Sequence, residues 1–355
     1  MPGTPNPMAA GLGPTPAVSM KTIQMTGLWV DVYGLAELAP DATSVAVLWL
    51  HNPRTRSKEE MADIAARAVA AHNASVQKTK KAAARRGLVA AAFDQRNHGS
   101  RMVLQEANGA WRNGNATHAQ DMFGVIAGTA ADTSLLIDLF GSYVFPEREA
   151  GFVDRHLVLG VSLGGHSGWQ LMFRDPRVVA GVMVIGCPDF INLLSDRARL
   201  TKLSTFDAAT KGASFLGSKD FPQGLMQSCF KHDPRGMVFS KGEPVWPASE
   251  GEQEKVKAAL RSRVAGKKFL VTSGGADKLV NYECSRPFLD VFKKAAQTWP
   301  DLELSVEDNV YAGIGHEFSA DMVKDSVRFI VDAVSAEGRT IAHVSSNADE
   351  RSSKI

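Results

Sequence analysis

The sequence predicts an α/β fold: a mostly parallel central sheet, helices on both of its faces, and a helical cap inserted late in the chain. Three observations lead there. Apolar runs of strand length recur with helical segments between them, and they are continuous, as in strands buried on both faces. One of them, Leu157–Val161, runs straight into Gly-Val-Ser-Leu-Gly at 160–164 and then into the helix-like Ser167–Phe173, ahead of Pro176. From residue 187 to 266 the rhythm stops, over a span too long for an ordinary connection.

In chain order, residues 1–20 are rich in Pro, Gly, Ala and Thr, with no charge before Lys21, and read as a disordered leader. Thr22 to Leu38 alternates like two antiparallel strands broken near Gly34. Ser44–Leu50 is a buried strand, followed by the loop His51–Arg56. Ser57 and Glu60 then form a capping box ahead of Met61, Ile64, Ala65, Ala68 and Val69 at helical spacing. Gly87–Phe93 is a second buried strand that delivers Asp94–Ser100 at its carboxyl end. Residues 101–117, polar and rich in Gly and Asn, read as a long surface loop before a helix from about His118 to Phe140. Strands follow at Leu157–Val161, Val178–Gly186, Lys268–Ser273 and Leu302–Val306. Residues 21–186 and 267–340 therefore form the core, 187–266 the cap and 341–355 a flexible tail.

Composition narrows the field. The chain of 355 residues is 44% hydrophobic, ample for a globular core. Its 40 basic and 38 acidic residues nearly balance, which gives no reason to expect nucleic acid or an anionic membrane as partner. No uninterrupted apolar run approaches the roughly 18 residues of a membrane span, and the first residues lack the basic start and apolar core expected of a signal peptide. Cys187, Cys229 and Cys284 are too few and too scattered for a disulfide framework or a zinc site.

Ser162 is the candidate nucleophile. A sharp strand-to-helix turn would force it into a strained conformation, and a Cβ two residues away on either side would collide, hence Gly160 and Gly164. A serine hydroxyl needs a base, usually His, oriented by a carboxylate, and on this kind of sheet the order is Ser, acid, His. Asp277 lies just past the Lys268–Ser273 strand, and His316 lies in Gly-Ile-Gly-His after the following strand. Asp189 is an alternative acid. Asp94 and His98 read as loop stabilisers, His51 as the anchor of its own loop, His166 as a packing residue and Cys187 as a small buried hydrophobe.

With Asp-Gln-Arg-Asn-His-Gly-Ser at 94–100, Gly-Val-Ser-Leu-Gly at 160–164, Gly-Gly-Ala-Asp-Lys-Leu-Val at 274–280 and Gly-Ile-Gly-His-Glu-Phe at 313–318, the chain resembles the α/β-hydrolase superfamily from about Val45 to Val334. More narrowly, the 94–100 motif and the large cap resemble the fungal peroxisomal lipase and toxin-biosynthesis hydrolase branch. The resemblance implies Ser162, Asp277 and His316 as nucleophile, orienting acid and base. The family's oxyanion loop usually reads His-Gly-x. Here it is His51-Asn52-Pro53-Arg54, and Pro53 has no N–H to donate. Arg54 or Asn52 then supplies one donor, and the N–H of Leu163 the other.

The expected activity is hydrolysis of an apolar acyl ester through an acyl-enzyme, with no metal or organic cofactor implied. An acyl-CoA thioesterase is a rival with the same triad. A non-hydrolytic isomerase, cyclase or ligand-binding protein on this fold is another, kept open by the unusual oxyanion loop. Phe190, Leu193, Phe221, Leu225 and Met226 are the expected pocket lining; the alternative is that they form the cap's own core. The closing Ser353-Lys354-Ile355 resembles the tripeptide read by the peroxisomal import receptor, which makes that receptor an expected partner and the peroxisome the expected location, with the cytoplasm as alternative.

Overall fold

The computed structural model describes residues 6–8, 11–78, 86–210 and 212–336. The Ser353-Lys354-Ile355 ending lies outside the described residues. The strands are β1 (Met20–Met25), β2 (Leu28–Tyr33), β3 (Ser44–His51), β4 (Arg86–Phe93), β5 (Val153–Val161), β6 (Val178–Val184), β7 (Lys268–Gly274) and β8 (Ser305–Tyr311). They form one sheet in the order β1-β2-β4-β3-β5-β6-β7-β8. β2 is antiparallel to both β1 and β4, and every later pairing is parallel.

The continuous apolar runs are read correctly as strands covered on both sides. Along β3, Val45, Val47 and Trp49 enter one core cluster while Ala46, Leu48 and Leu50 enter the other, the period of two that a pleated strand imposes. The first cluster is closed by α3 (Leu163–Arg174), α7 (Glu250–Val264), α8 (Tyr282–Thr298) and the end of α2 (His118–Val144). The second is closed by α1 (Ala62–Lys78) and α9 (Ala320–Ser335). From β3 the chain steps to β4 on one side, then returns to β5 on the other. That reversal opens a crevice beyond the carboxyl ends of β3 and β5. The loop after β3 and the turn holding Ser162 both face it.

Several sequence expectations are corrected. The first hairpin turns at Thr26-Gly27, both at positive φ, and not near Gly34. Ser57 caps nothing with its side chain, because the carboxylate of Asp94 takes the Lys58 N–H at 2.8 Å and a 3-10 turn, Lys58–Met61, precedes α1. The polar stretch 101–117 is built from short 3-10 turns pinned by Asn97, Asn108 and Asn115, and it buries Trp111. Within the first 20 residues, the described part is not free: Met8, Leu12 and Val18 pack on the second cluster, and Thr15 donates to Asp63 at 2.5 Å. The last strand is Ser305–Tyr311, not Leu302–Val306; as the sheet's edge it is only half covered, so its polar sequence hid it. α2, at 27 residues, is by length and composition long and apolar enough to cross a membrane. It packs as a core helix instead, with half of its most apolar window buried.

The long insertion holds α4 (Phe190–Thr201), α5 (Gln223–His232), α6 (Pro234–Phe239) and α7. α7 belongs with the core, since Val256, Leu260 and Val264 pack in the first cluster. The cap's apolar residues form a third cluster. It joins α4 and α5 to the first half of α2 and touches Leu163 and Val280 beside the crevice.

Candidate active site

At the end of β5 the chain turns into α3 through Ser162, whose backbone sits at φ 55 and ψ −113, a region that a side chain occupies only under constraint. The glycines around it show that constraint in distances. A Cβ on Gly160 would lie 1.9 Å from the Gly164 carbonyl oxygen, and one on Gly164 would lie 2.0 Å from the His51 carbonyl oxygen. The elbow is thus clamped between its own helix and the loop after β3. Ser162 is nearly buried, with 8% of its surface exposed.

His316 arrives from β8 in a four-residue loop, and its Nε2 lies 2.9 Å from Ser162 Oγ. Its Nδ1 lies 2.7 Å from Asp277 Oδ2. The other carboxylate oxygen of Asp277 accepts the N–H groups of Leu279, at 2.8 Å, and Val280, at 3.0 Å. These bonds orient the acid, which orients the imidazole: Nδ1–H donates to Asp277, leaving Nε2 free to accept from Oγ–H. The two loops are fastened together. Ala276 N–H donates to the Ile314 carbonyl at 2.8 Å, and a Cβ on Gly274 would stand 2.3 Å from the carbonyl oxygen of Gly315. Phe318, two residues past the histidine, donates its N–H to the Pro7 carbonyl at 2.5 Å, so the chain's first described residues brace the base loop.

The structure brings Ser162, Asp277 and His316 together and leaves the other candidates apart. Asp189 caps α4 through the Asn192 N–H at 2.9 Å, and burial pushes its carboxyl up to about 6. Asp94 accepts from Lys58 N, Ser100 N and Ser100 Oγ, a loop-holding role. His98 Nδ1 faces the Arg96 carbonyl at 2.9 Å. His51 lies between Thr133 Oγ1 and Ser167 Oγ, each at 2.9 Å, and burial lowers its pKa to about 3, so it is a neutral strut. His166 accepts the Cys187 N–H at 2.8 Å and is likewise held neutral by burial. Burial also drives the Cys187 thiol well above its ordinary range, which keeps it un-ionised.

In the loop after β3, Pro53 and Arg56 close a turn, Arg56 N–H to Pro53 O at 3.2 Å, with Thr55 at φ 62. Asn52 spends its side-chain amide on the Pro53 and Arg56 carbonyls, and its own carbonyl accepts from Gln95. The N–H of Arg54 lies outside any strand or helix and has no hydrogen-bond partner among the described residues. The N–H of Leu163, at the first position of α3, is one of the orphan donors of that helix.

Of the five expected lining residues, Phe190, Leu193 and Phe221 retain 2%, 2% and 0% of their surface. They are interior to the third cluster: Phe190 meets Phe123 edge-on at 5.1 Å between ring centroids, and Phe221 meets Phe215 at a tilt at 5.3 Å. They pack within the cap's own cluster, which also reaches Leu163 beside Ser162. Leu225 keeps 8%, and Met226 is partly buried on the same cluster. Two side chains that the sequence did not single out stand beside the site. Arg197 of α4 donates to the Leu279 carbonyl at 3.1 Å, next to the orienting acid, and His118 of α2 faces it at 3.3 Å. Nothing local in the sequence marks either one, because their placement depends on how the cap sits.

No protein-family model and no curated protein matches the sequence. Solved structures do. The chain is similar to the Thermus thermophilus protein TT1662, with 15% identity over 90% of this chain and 100% of that one, at a TM-score of 0.52. Weaker likenesses are to a puromycin-hydrolyzing peptidase of Mycobacterium tuberculosis (13% identity, 92% of this chain, TM-score 0.49) and an esterase of Pyrococcus furiosus (15%, 89% of each chain, 0.43). This chain spans 41% of the peptidase's length. The sheet, its order and its carboxyl-edge elbow are those of an α/β-hydrolase fold. Among the residues of that edge, Ser162, His316 and Asp277 form one hydrogen-bonded line.

Proposed function

We propose that the protein is a serine hydrolase that cleaves acyl esters through a covalent acyl-enzyme. The observation that carries this reading is the bonded series Ser162 Oγ, His316 Nε2, His316 Nδ1, Asp277 Oδ2 on a strained elbow. Ser162 Oγ attacks the carbonyl carbon as His316 Nε2 takes its proton. The tetrahedral oxyanion is met by the N–H of Leu163 and by a backbone N–H of the loop after β3, that of Arg54 or of Asn52. His316 then protonates the leaving oxygen. A water, deprotonated by the same nitrogen, attacks the acyl-enzyme and releases the acid and the free serine.

An esterase and peptidases among the similar structures are consistent with this reading, and the narrower resemblance to fungal peroxisomal lipases and toxin-biosynthesis hydrolases points to an oxygen ester. The deciding experiment compares a short aryl ester with its thioester counterpart on the wild type and on Ser162→Ala. Turnover of the oxygen ester that disappears in the variant supports the reading. Faster thioester turnover would move it to a thioesterase, and retention of more than a few per cent of ester activity by the variant would overturn it. Peroxisomal location is part of the proposal. A fluorescent protein carrying residues 344–355 should become punctate with a peroxisomal marker in fungal cells, and diffuse fluorescence would contradict it.

A further inference from the structure

Two guanidinium groups, Arg54 of the loop after β3 and Arg197 of α4, stand close enough to repel each other, and among the described residues neither has an anionic partner. Arg54 lies within the turn after β3, and its Nη1 donates to the Asn108 carbonyl at 3.2 Å. Arg197 reaches across from the cap, donating Nη2 to the Leu279 carbonyl and placing Nη1 against His118 Nε2. Its Nε is buried with no hydrogen-bond partner. His118 is suited to that position only as a neutral ring: Nδ1–H donates to the Gly109 carbonyl at 2.8 Å, and Nε2 keeps a lone pair for Arg197. Burial and the two arginines hold its pKa near 3.

Among the described residues, neither Arg54 nor Arg197 nor the nearby Arg112 takes part in any ion pair. Two neighbouring carboxylates are committed elsewhere: Asp277, two residues before Leu279, to His316, and Asp196, adjacent to Arg197 in sequence, to Arg199. After desolvation, the strongest influences on Arg197 are the repulsion of Arg54 and the thiols of Cys284 and Cys187, which burial keeps protonated. Both arginines nonetheless retain part of their surface, so neither is sealed from solvent. Proteins rarely leave convergent cations in a low-dielectric recess with only neutral acceptors, because each such charge costs desolvation without a counter-charge. A planar guanidinium with a free edge is suited to a carboxylate or phosphate.

We infer that the substrate of Ser162 carries an anionic oxygen group, a carboxylate or a phosphate, which docks between Arg54 and Arg197. The inference rests on the serine-hydrolase reading and names its substrate class. Electroneutral lipids and simple alkyl esters would then be poor substrates, because they leave both arginines without a counter-charge.

Two matched pairs separate the sources of the anion. The 4-nitrophenyl monoester of glutarate is set against 4-nitrophenyl pentanoate for a carboxylate on the acyl side. Butyryl-CoA is set against butyryl-pantetheine for phosphates on the leaving group. In at least one pair the anionic member should have a kcat/KM about ten- to a hundredfold higher, mainly through KM. That ratio should collapse toward one in Arg197→Met and recover in part in Arg197→Lys. Because the readout is a ratio within one preparation, a general loss of active protein cancels. Calorimetric titration of the wild type and of Arg197→Met with glutarate and with CoA needs no turnover; heat in the wild type that is lost in the variant supports the inference. Ratios near one in both pairs, or a preference unchanged in Arg197→Met, overturn it while leaving the hydrolase reading intact. Failure to hydrolyse any of the four compounds would count against the hydrolase reading, and the calorimetry then decides this inference alone: no heat with either anion overturns it.

Discussion

Gly164 has almost no room for a side chain, since a methyl group there would sit 2.0 Å from the His51 carbonyl. Backbone cannot yield as a flexible side chain can, so Gly164→Ala must displace either the elbow or the oxyanion turn. Activity should fall at least about a hundredfold, because misplacement near 1 Å costs that much, and steady-state turnover checks it. The acid makes a sharper comparison. Asp277→Asn should lower kcat by about ten-thousandfold through loss of the correct tautomer. Asp189→Asn should leave kcat near wild type, because an Asn at 189 can still accept the Asn192 N–H and cap α4. Equal losses in kcat would contradict the assignment. At this scale the sequence was highly legible, because each triad residue is demanded locally: Gly on both sides of Ser162, and strand ends before Asp277 and His316. Arg197 and His118 carry no such local mark and come to the site only through tertiary packing.

Among elements, the base loop depends on a segment that composition alone assigned to disorder. Pro7 accepts the Phe318 N–H, Arg67 donates to the Gly13 carbonyl at 2.5 Å, and Ser19 bonds Glu37 with both N–H and hydroxyl. An uncharged Pro- and Gly-rich stretch cannot show in its own sequence that a distant surface will bind its carbonyls. Removing residues 1–15 should therefore lower the unfolding midpoint and reduce kcat more than it changes KM, since it loosens the residue two positions from His316. Thermal melts and initial rates test both halves, and a truncated chain with wild-type kcat would contradict the bracing role. β8 was mislocated for a related reason. An edge strand half open to water needs few apolar residues, so the pattern Ser-Val-Glu-Asp-Asn-Val-Tyr lacks the signature that identified its neighbours.

The molecule as a whole holds several histidines uncharged. Burial lowers His51 and His118 to about 3, and His156 and His166 to about 4. In the unfolded chain each would take a proton below about pH 6.5. Their contribution to stability is thus complete above that pH and is lost as pH falls through the folded values. Asp189 acts in the opposite sense: burial raises it to about 6, so its contribution is present at low pH and is lost as pH rises from about 4 toward 6. The histidines outnumber it, so the unfolding midpoint should drop steadily between pH 6.5 and 4.5. A midpoint flat or rising over that interval would contradict the picture of neutral buried rings. The core architecture was legible at this scale because strands covered on both faces leave continuous apolar runs. The cap was legible only as an interruption: its aromatic residues identify a cluster, and whether that cluster faces a ligand or itself is decided by packing that no local pattern encodes.

The nucleophilic character of Ser162 is the claim on which the rest depends. Incubation of the folded protein with a fluorophosphonate, followed by peptide mass spectrometry, tests it most directly. A single adduct on Ser162, absent in Ser162→Ala and formed far more slowly in His316→Gln, is the predicted result. An unlabelled wild type, or a Ser162→Ala protein labelled as fast as the wild type, would contradict it.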